Sequence, residues 1–314
     1  MDFKTTQYAN SVFEQPWWLE TVAPGKWGEA VVKENDKIIA RLPYVFENCK
    51  IKNPKYTQTL GIWMDDSLKN FQKGNSQLHK QKEVIAELLA QLPKNRGIDI
   101  TFDSSLKYIL PFRWHSFNIE PTFSYRINNL QDITEVQNNI SKSVAQIIRT
   151  ASRKVVVDSN SSDFEGLIEL QNMTFRRQNR NNPIDNDLTL KVMKTAVEHN
   201  NGRLMISRDE NGNLHSGLFL LYDENVCYYL IGGQNPEFKN SGSQNLLLLE
   251  GIKFAASVSK SFDFEGSMVE GIENFFRQFG GEQVINYHVS KHTLLGDIMY
   301  VAKPHVKKML GYKI

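Results

Sequence analysis

The chain has 314 residues, a formal net charge of +2, 40% hydrophobic residues and 23% charged residues. It is long enough for two domains, and its composition is ordinary for a folded soluble protein. The near-neutral charge gives no electrostatic case for tight nucleic-acid binding. Two cysteines far apart in sequence, Cys49 and Cys227, indicate no disulfide framework. The amino terminus lacks the apolar core of a signal peptide, and no apolar run approaches the roughly 20 residues of a membrane span. We therefore expect a cytoplasmic protein.

The first half, residues 1–127, is predicted to form one α/β domain. Trp17 and Trp18 lie in a short amphipathic helix and are interpreted as core residues, because tryptophan carries a large apolar surface. The predicted elements are a helix within Val12–Val22, strands at Ala30–Lys33, Lys37–Phe46 and Tyr56–Met64, a helix at Ser76–Gln91, and strands at Gly97–Phe102 and Tyr125–Ile127.

The second half, residues 128–314, repeats this order of elements after a basic helix at Ser141–Val155, which Ser141 or Ser143 can cap. The predicted elements that follow are helices at Phe164–Arg177 and Asp187–His199, strands at Arg203–Ser207, Leu214–Tyr222 and Val226–Gly232, a helix from Gln244 to Ser259, a strand at Phe262–Glu265, a helix at Gly271–Phe279 and a strand at Val284–Ser290. Three meandering strands, a helix entered from a glycine-containing loop, then strand, helix and strand are typical of an N-acyltransferase fold. We therefore predict two similar α/β domains, split near Asn128, each a mixed, mostly antiparallel sheet flanked by helices.

The loop before the helix predicted from Gln244 to Ser259 is a candidate cofactor site. Its residues are Lys239, Asn240, Ser241, Gly242, Ser243 and Gln244. A glycine here lets the backbone curl so that several N–H groups point one way, and the helix amino terminus adds partial positive charge. Together these features would bind a pyrophosphate. The alternative is a simple helix start capped by Ser241 or Ser243.

Two carboxylates in the strand Phe262–Glu265 are candidates for a general base. Alternation places Phe262 and Phe264 on the core face and predicts that Asp263 and Glu265 project together from the other face. Neighbouring carboxylates raise at least one pKa, which suits proton abstraction from an amine. The alternative is a structural pair that accepts hydrogen bonds from nearby loops.

The final strand supplies a candidate acid. Tyr287 or His288, depending on which face each occupies, could protonate a departing thiolate, and Tyr287 is the assignment preferred here. A structural role for either residue is the alternative. Weaker candidates are His215, Tyr228, Tyr229 and Gln234. No cysteine or histidine cluster has metal-ligand spacing, so no metal is expected.

Several of these segments resemble a known group, the GNAT-type acyltransferases related to the Fem peptidyltransferases. The resemblance is carried by Phe262–Met268 and by the residues Gly271, Ile272, Phe275, Phe276, Phe279, Gly280 and Gly281 that follow. Phe13–Leu19 is similar to the amino-terminal helix of that group, and Ser141–Ala151, with Arg149, to its inter-domain helix. Lys239, Gly242 and Gln244 echo the GNAT cofactor loop, which more commonly begins with Gln or Arg and ends with Gly or Ala. The resemblance implies two GNAT domains in tandem.

The resemblance also implies a reaction. GNAT enzymes move an acyl group from acyl-CoA to an amine, whereas Fem-type enzymes move an aminoacyl group from tRNA to a peptidoglycan precursor. The near-neutral charge favours acyl-CoA, acetyl-CoA in the simplest case, over tRNA. The expected acceptor is a primary amine of a small metabolite, amino sugar or cell-envelope precursor, bound near Asn179–Asn182. The remaining alternative is a GNAT-fold binding protein without turnover.

Overall fold

The computed structural model describes residues 5–69, 75–94, 97–177, 181–266 and 268–292, which form two compact units. The first unit contains residues 5–122 together with residues 286–292, and the second contains the described residues between 123 and 285. In each unit the sheet has one parallel strand pair and is otherwise antiparallel, with helices alongside. The predicted mixed α/β fold is confirmed. The tandem boundary near Asn128 stays a prediction.

The first unit begins with a short helix and a long hairpin. Its elements are α1 Pro16–Val22, β1 Trp27–Glu34, β2 Lys37–Glu47, β3 Lys50–Lys52, β4 Trp63–Met64, α2 Asp66–Lys69, α3 Asn75–Gln91, β5 Gly97–Phe102, α4 Leu110–Trp114 and the start of β6, Asn118–Ile127. The hairpin turns at Asn35 and Asp36, both with positive φ (49° and 63°), as a two-residue loop between twisted strands requires. In this unit β5 runs parallel to β3 and pairs on its other side with the carboxyl-terminal strand β12, Glu282–Lys291.

Trp17 and Trp18 lie in the core of the first unit, as predicted, with 3% and 0% of their surface exposed. The Trp18 indole Nε1 donates a hydrogen bond to Thr57 Oγ1 at 2.8 Å, which satisfies its polar end. Phe13 packs edge-on against Trp18. The amino-terminal helix is therefore held by aromatic burial.

The second unit contains the remaining helices and strands. They are α5 Ile133–Asn138, α6 Lys142–Ala151, β7 Val156–Asp158, α7 Phe164–Arg177, α8 Asn186–Glu198, β8 Gly202–Arg208, β9 Leu214–Tyr222, β10 Val226–Gln234, α9 Ser243–Val258, β11 Ser261–Asp263 and α10 Glu270–Arg277. Its strands are ordered β7-β8-β9-β10-β11-β6, and only the β10–β11 pair is parallel. Ser141 caps α6, since its Oγ accepts the Val144 N–H.

Strand β9 is buried on both faces because helices cover both sides of this sheet. On one side Leu218 and Leu220 meet α9 at Gly251, and on the other α7 presses Leu167 and Leu170 against Gly217. This explains why β9 reads as an almost continuous apolar run. The rigid centre of the unit is thus β9 with β10 beside it.

Several boundaries differ from the prediction. The strand predicted at Tyr56–Met64, for example, is limited to Trp63–Met64. The strand predicted at Phe262–Glu265 ends at Asp263, because Glu265 and Gly266 both adopt left-handed backbone conformations, with φ of 61° and 51°. The last predicted strand begins at Glu282, and from Asn286 onward it belongs to the first unit. Residues 286–292 therefore complete the unit to which residues 5–122 belong.

Candidate active site

The second unit contains a cavity of about 640 Å³. Its walls come from the carboxyl-terminal part of β10, the loop and first turn of α9, the turn after β11, and α10. Glu265, Lys239 and Gln244, three of the residues singled out in the sequence, line it together. Most other wall residues are apolar or aromatic, as in small-molecule sites generally.

The cavity opens where two parallel strands part. Strands β10 and β11 pair from Val226 with Ser261 to Tyr228 with Asp263, but β10 continues alone on this side as far as Gln234. The register of β10 against β9 also shifts between Tyr229 and Ile231, an irregularity that twists a strand locally. Alternate N–H groups of an unpaired strand edge point away from the sheet. Beyond Tyr228 the edge of β10 can therefore donate hydrogen bonds into the cavity.

Glu265 stands at the turn that ends β11. Its side chain is half-buried in the wall of the cavity. Burial, and next the negative charge of Asp263, raise the pKa of the Glu265 carboxyl well above its ordinary value. Gly266 follows with positive φ, and a Cβ there would lie 2.3 Å from the Phe123 carbonyl oxygen, so only glycine fits the turn. A carboxyl with a raised pKa in a substrate-sized cavity can act as a general base.

Asp263 is not one of the residues that line this cavity. It is 4% exposed, and its carboxylate accepts hydrogen bonds from the Ser124 hydroxyl, from Nε and Nη2 of Arg126 at 2.9 and 2.8 Å, and from the Glu265 backbone N–H at 2.8 Å. Glu265 lines the cavity and Asp263 does not, although alternation predicted a common face for the two carboxylates. The reason is the left-handed backbone at Glu265, which interrupts the strand before alternation can continue.

The predicted cofactor loop lies at the other end of the cavity. Lys239 and Asn240 are exposed, and the Ser241 hydroxyl accepts the Ser243 N–H at 3.2 Å. Among the described residues, the backbone N–H groups of Gly242 and Gln244 have no protein acceptor. These N–H groups at the start of α9 suit an anionic group such as a phosphate.

Glycine at position 242 is explained by packing as well as by the predicted contact with a cofactor. Its φ is 75°, and a Cβ would lie 2.6 Å from Cγ2 of Ile147 and 3.2 Å from Cβ of Ala151, both on α6. The glycine therefore allows α9 to start against α6. Close approach of a ligand to this backbone stays a prediction.

Tyr229 is a cavity residue that the sequence analysis ranked low. Its hydroxyl accepts a hydrogen bond from Gln244 Nε2 at 2.7 Å, and its ring packs edge-on against Phe276 with centroids 5.8 Å apart. The hydroxyl also lies over Gly232, where any Cβ would overlap it. The signal that could have found it is the Gly232-Gly233 pair three residues later, since adjacent glycines in a strand mark a close approach.

The predicted acid lies in the first unit. Tyr287 is half-buried and pairs with Phe102 of β5, while His288 Nε2 lies 3.2 Å from Asp99 Oδ1. The cavity described above belongs wholly to the second unit, so the role of Tyr287 stays a prediction.

The other candidates make local contacts. His215 stacks on Phe238 and contacts Asp209 Oδ2 at 3.3 Å, Tyr228 is buried, and Gln234 donates to the Lys239 carbonyl at 3.4 Å. Asn182 donates to Gln171 and Asn172. Asn179, with which the predicted acceptor region begins, and Ser267 of the resemblance lie outside the described residues.

No group of three or more His, Cys, Asp and Glu side chains among the described residues could hold a metal ion. No helix in the described ranges has both the length and the apolar character needed to span a membrane.

Comparison with known proteins places these features in a family context. Residues 135–277, which include β10, the loop before α9 and Glu265, match the profile of the acetyltransferase (GNAT) domain. No match is found among curated proteins. The chain resembles the crystal structure of FemX with a TM-score of 0.66 at 14% identity, over 88% of this chain and 92% of that one. It also resembles L-PGS from Bacillus licheniformis, with a TM-score of 0.58 at 9% identity, over 95% and 98% of the two chains. At such identities the likeness is one of fold.

Proposed function

We propose that this chain is an acyltransferase of the Fem-like GNAT group and that it transfers an acyl group from acyl-CoA to a primary amine. The match of residues 135–277 to the GNAT acetyltransferase domain and the FemX-like fold support this proposal. Acetyl is the simplest donor group, and the acceptor is a small metabolite, an amino sugar or a cell-envelope precursor. The observation that carries this proposal is the meeting of Glu265 and the Lys239–Gln244 loop in one cavity. Cys49 and Cys227 are both free thiols, in agreement with a cytoplasmic location, where acyl-CoA would be supplied.

The donor would bind along the separated edge of β10. Its pyrophosphate would lie at the amino terminus of α9, where the N–H groups of Gly242 and Gln244 are available and Lys239 adds a positive charge. The unpaired edge of β10 beyond Tyr228 would then donate to the thioester carbonyl. Such donors stabilise the negative charge that develops on that oxygen when the amine attacks.

Glu265 would accept a proton from the acceptor amine. The amine nitrogen forms a bond to the thioester carbon, the carbon–sulfur bond breaks, and the thiolate leaves with a proton. The raised pKa of Glu265 brings its basicity closer to that of the ammonium it must deprotonate. Asp263 would act as a positioning residue, because it binds the Glu265 N–H and is itself held by Arg126.

The tyrosine predicted as the acid, Tyr287, keeps that assignment as a proposal. Tyr287→Phe would remove the proton and keep the ring. A loss of turnover without a loss of acetyl-CoA affinity is the expected result, and unchanged turnover would exclude the assignment.

A direct assay tests the main proposal. Purified protein is incubated with radiolabelled acetyl-CoA and a panel of primary amines, and acetyl-amine formation is compared with free CoA release. Turnover that is lost in Glu265→Gln and retained in Glu198→Gln, an exposed glutamate at the end of α8, would support it. Absence of both binding and transfer with acetyl-CoA would contradict it.

The Fem-type alternative, aminoacyl-tRNA as donor, is favoured by one observation, the FemX-like fold. The net charge of +2 does not favour it. The same amine panel with charged tRNA in place of acetyl-CoA separates the two, because only the donor differs. A GNAT-fold protein that binds acetyl-CoA and transfers to none of the amines would instead fit the non-catalytic alternative.

A further inference from the structure

A single hydrogen-bonded pair interrupts the aromatic part of the cavity wall. Gln244 Nε2 donates to the Tyr229 hydroxyl at 2.7 Å, and both residues line the cavity beside Phe264 and Phe276. The other amide atom, Gln244 Oε1, is buried and has no hydrogen-bond partner among the residues that the structure describes. A buried acceptor without a partner is destabilising, and such atoms call for an explanation.

The pair leaves one donor and one acceptor free. When Gln244 donates to the hydroxyl, the Tyr229 O–H proton and Gln244 Oε1 remain. Turning the Gln244 amide over exchanges the roles, because the hydroxyl then donates to Oε1, and the NH₂ group and the tyrosine oxygen remain. In either orientation the two adjacent side chains present a neutral donor beside a neutral acceptor.

That arrangement complements one chemical group well. A secondary or primary amide carries one N–H donor and one carbonyl acceptor on adjacent atoms, and it is neutral like the wall around it. A carboxylate would meet the free acceptor with a negative charge, and an ammonium would find no anion in the pair. The Tyr229 hydroxyl stays protonated, since burial raises its pKa, so it keeps the donor that an amide carbonyl needs.

We propose that Tyr229 and Gln244 form a subsite for an amide group of a substrate. This inference rests on the proposed function and specifies which part of a substrate the shared cavity recognises. The amide could belong to the pantetheine arm of the donor or to the acceptor amine, and the experiment below has one arm for each.

The first measurement is direct and independent of turnover. The side-chain amide signals of Gln244 are assigned in ¹H–¹⁵N spectra by their loss in Gln244→Leu. They are then followed during titration with CoA, with alaninamide, and with alanine methyl ester, which lacks the amide N–H. A shift with CoA or alaninamide that the ester does not reproduce is expected. No selective shift with either amide ligand would overturn the inference.

The second measurement assigns the source of the amide. If it is the donor arm, Gln244→Leu and Tyr229→Phe each weaken CoA binding in calorimetry by about 10-fold, the usual effect of one lost hydrogen bond. The double variant should be little worse than either single variant, since both remove one subsite. If it is the acceptor, CoA affinity is unchanged, and the preference for alaninamide over the ester in kcat/KM falls about 10-fold. No change in either quantity would overturn the proposal.

One control variant and two combinations of results separate the amide subsite from the proposed acyl-transfer reaction. Tyr222→Phe, on β9 outside the cavity wall, should match the wild type in CoA affinity, in amide preference and in melting temperature. A selective Gln244 shift without transfer to any amine would contradict the proposed reaction and leave the amide subsite supported. Transfer activity without any selective Gln244 shift would support the proposed reaction and contradict the amide subsite.

Discussion

Arg126 and Asp263 are joined by two hydrogen bonds, from Nε and Nη2 of the guanidinium to a single carboxylate oxygen, at 2.9 and 2.8 Å. Asp263 uses its other oxygen to hold the backbone N–H of Glu265. The pair is 137 residues apart in sequence and lies across β6 and β11, which are neighbours in the sheet of the second unit. This contact sets the turn from which the Glu265 side chain enters the cavity.

Glu265→Gln is expected to lower turnover by roughly 10²–10⁴-fold, the usual share of general-base catalysis. The amide has the shape of the protonated acid, so the melting temperature should change little. In the wild type kcat/KM should decline as pH falls through the raised pKa of Glu265, because only the carboxylate accepts a proton. That acidic limb should vanish in the variant. Near-normal turnover in Glu265→Gln would rule out the assignment.

Asp263→Asn is expected to act mainly on stability. The substitution removes the negative charge that contacts the Arg126 guanidinium, which is 19% exposed, and breaking a buried ion pair costs about 3–5 kcal/mol of the free energy of unfolding. Thermal unfolding measures this loss, and turnover per folded molecule should fall much less than in Glu265→Gln. A stable Asp263→Asn protein with turnover as low as that of Glu265→Gln would identify Asp263, contrary to this expectation, as a catalytic group.

Gly242→Ala is expected to destabilise the protein, by about 1 kcal/mol or more, because an L-residue is strained at φ of 75° and its Cβ would contact Ile147. The double variant with Ile147→Ala should recover the steric part of the loss, and denaturant unfolding measures both. CoA affinity of the folded Gly242→Ala protein then tests the cofactor loop itself. CoA affinity equal to that of the wild type would contradict the prediction that the cofactor closely approaches the backbone at Gly242.

The buried Glu14 carboxyl is expected to make the stability of the first unit depend on pH. Burial, and next the negative charge of Asp103, raise its pKa from 4.5 to about 8. Because the folded-state pKa is raised, the contribution of Glu14 to stability is fully present below pH 4.5 and is lost as pH rises through about 8. Glu14→Gln should therefore flatten the fall in melting temperature between about pH 4.5 and 8.

Glu34→Gln is the matched control for that experiment. Glu34 pairs with Lys80 at the surface of the same unit, so its removal should leave the shape of the stability curve unchanged. Parallel curves for the wild type and Glu14→Gln across this pH range would show that Glu14 does not titrate there.

The sequence by itself determined the elements whose signals are local. Asn35-Asp36 predicted the first hairpin, which the structure contains. Alternation predicted that Phe262 and Phe264 are core residues, and both phenylalanines are buried, with ring centroids 5.0 Å apart. Hydrophobic period and turn chemistry act over a few residues, so they can be read without the fold. The fold class followed from the order of these elements, and the resemblance to the GNAT group followed from particular residues, above all Phe262–Met268.

Only the tertiary structure decided which side chains meet. Alternation predicted a shared face for Asp263 and Glu265, but one left-handed residue, Glu265 itself, turns its side chain into the cavity. The contacts of Asp263 with Arg126, and of Tyr229 with Gln244, join different elements and leave no periodic trace in the sequence. Strand pairing is chosen by packing over the whole unit, so the parting of β10 from β11 that opens the site is a property of the assembled sheet.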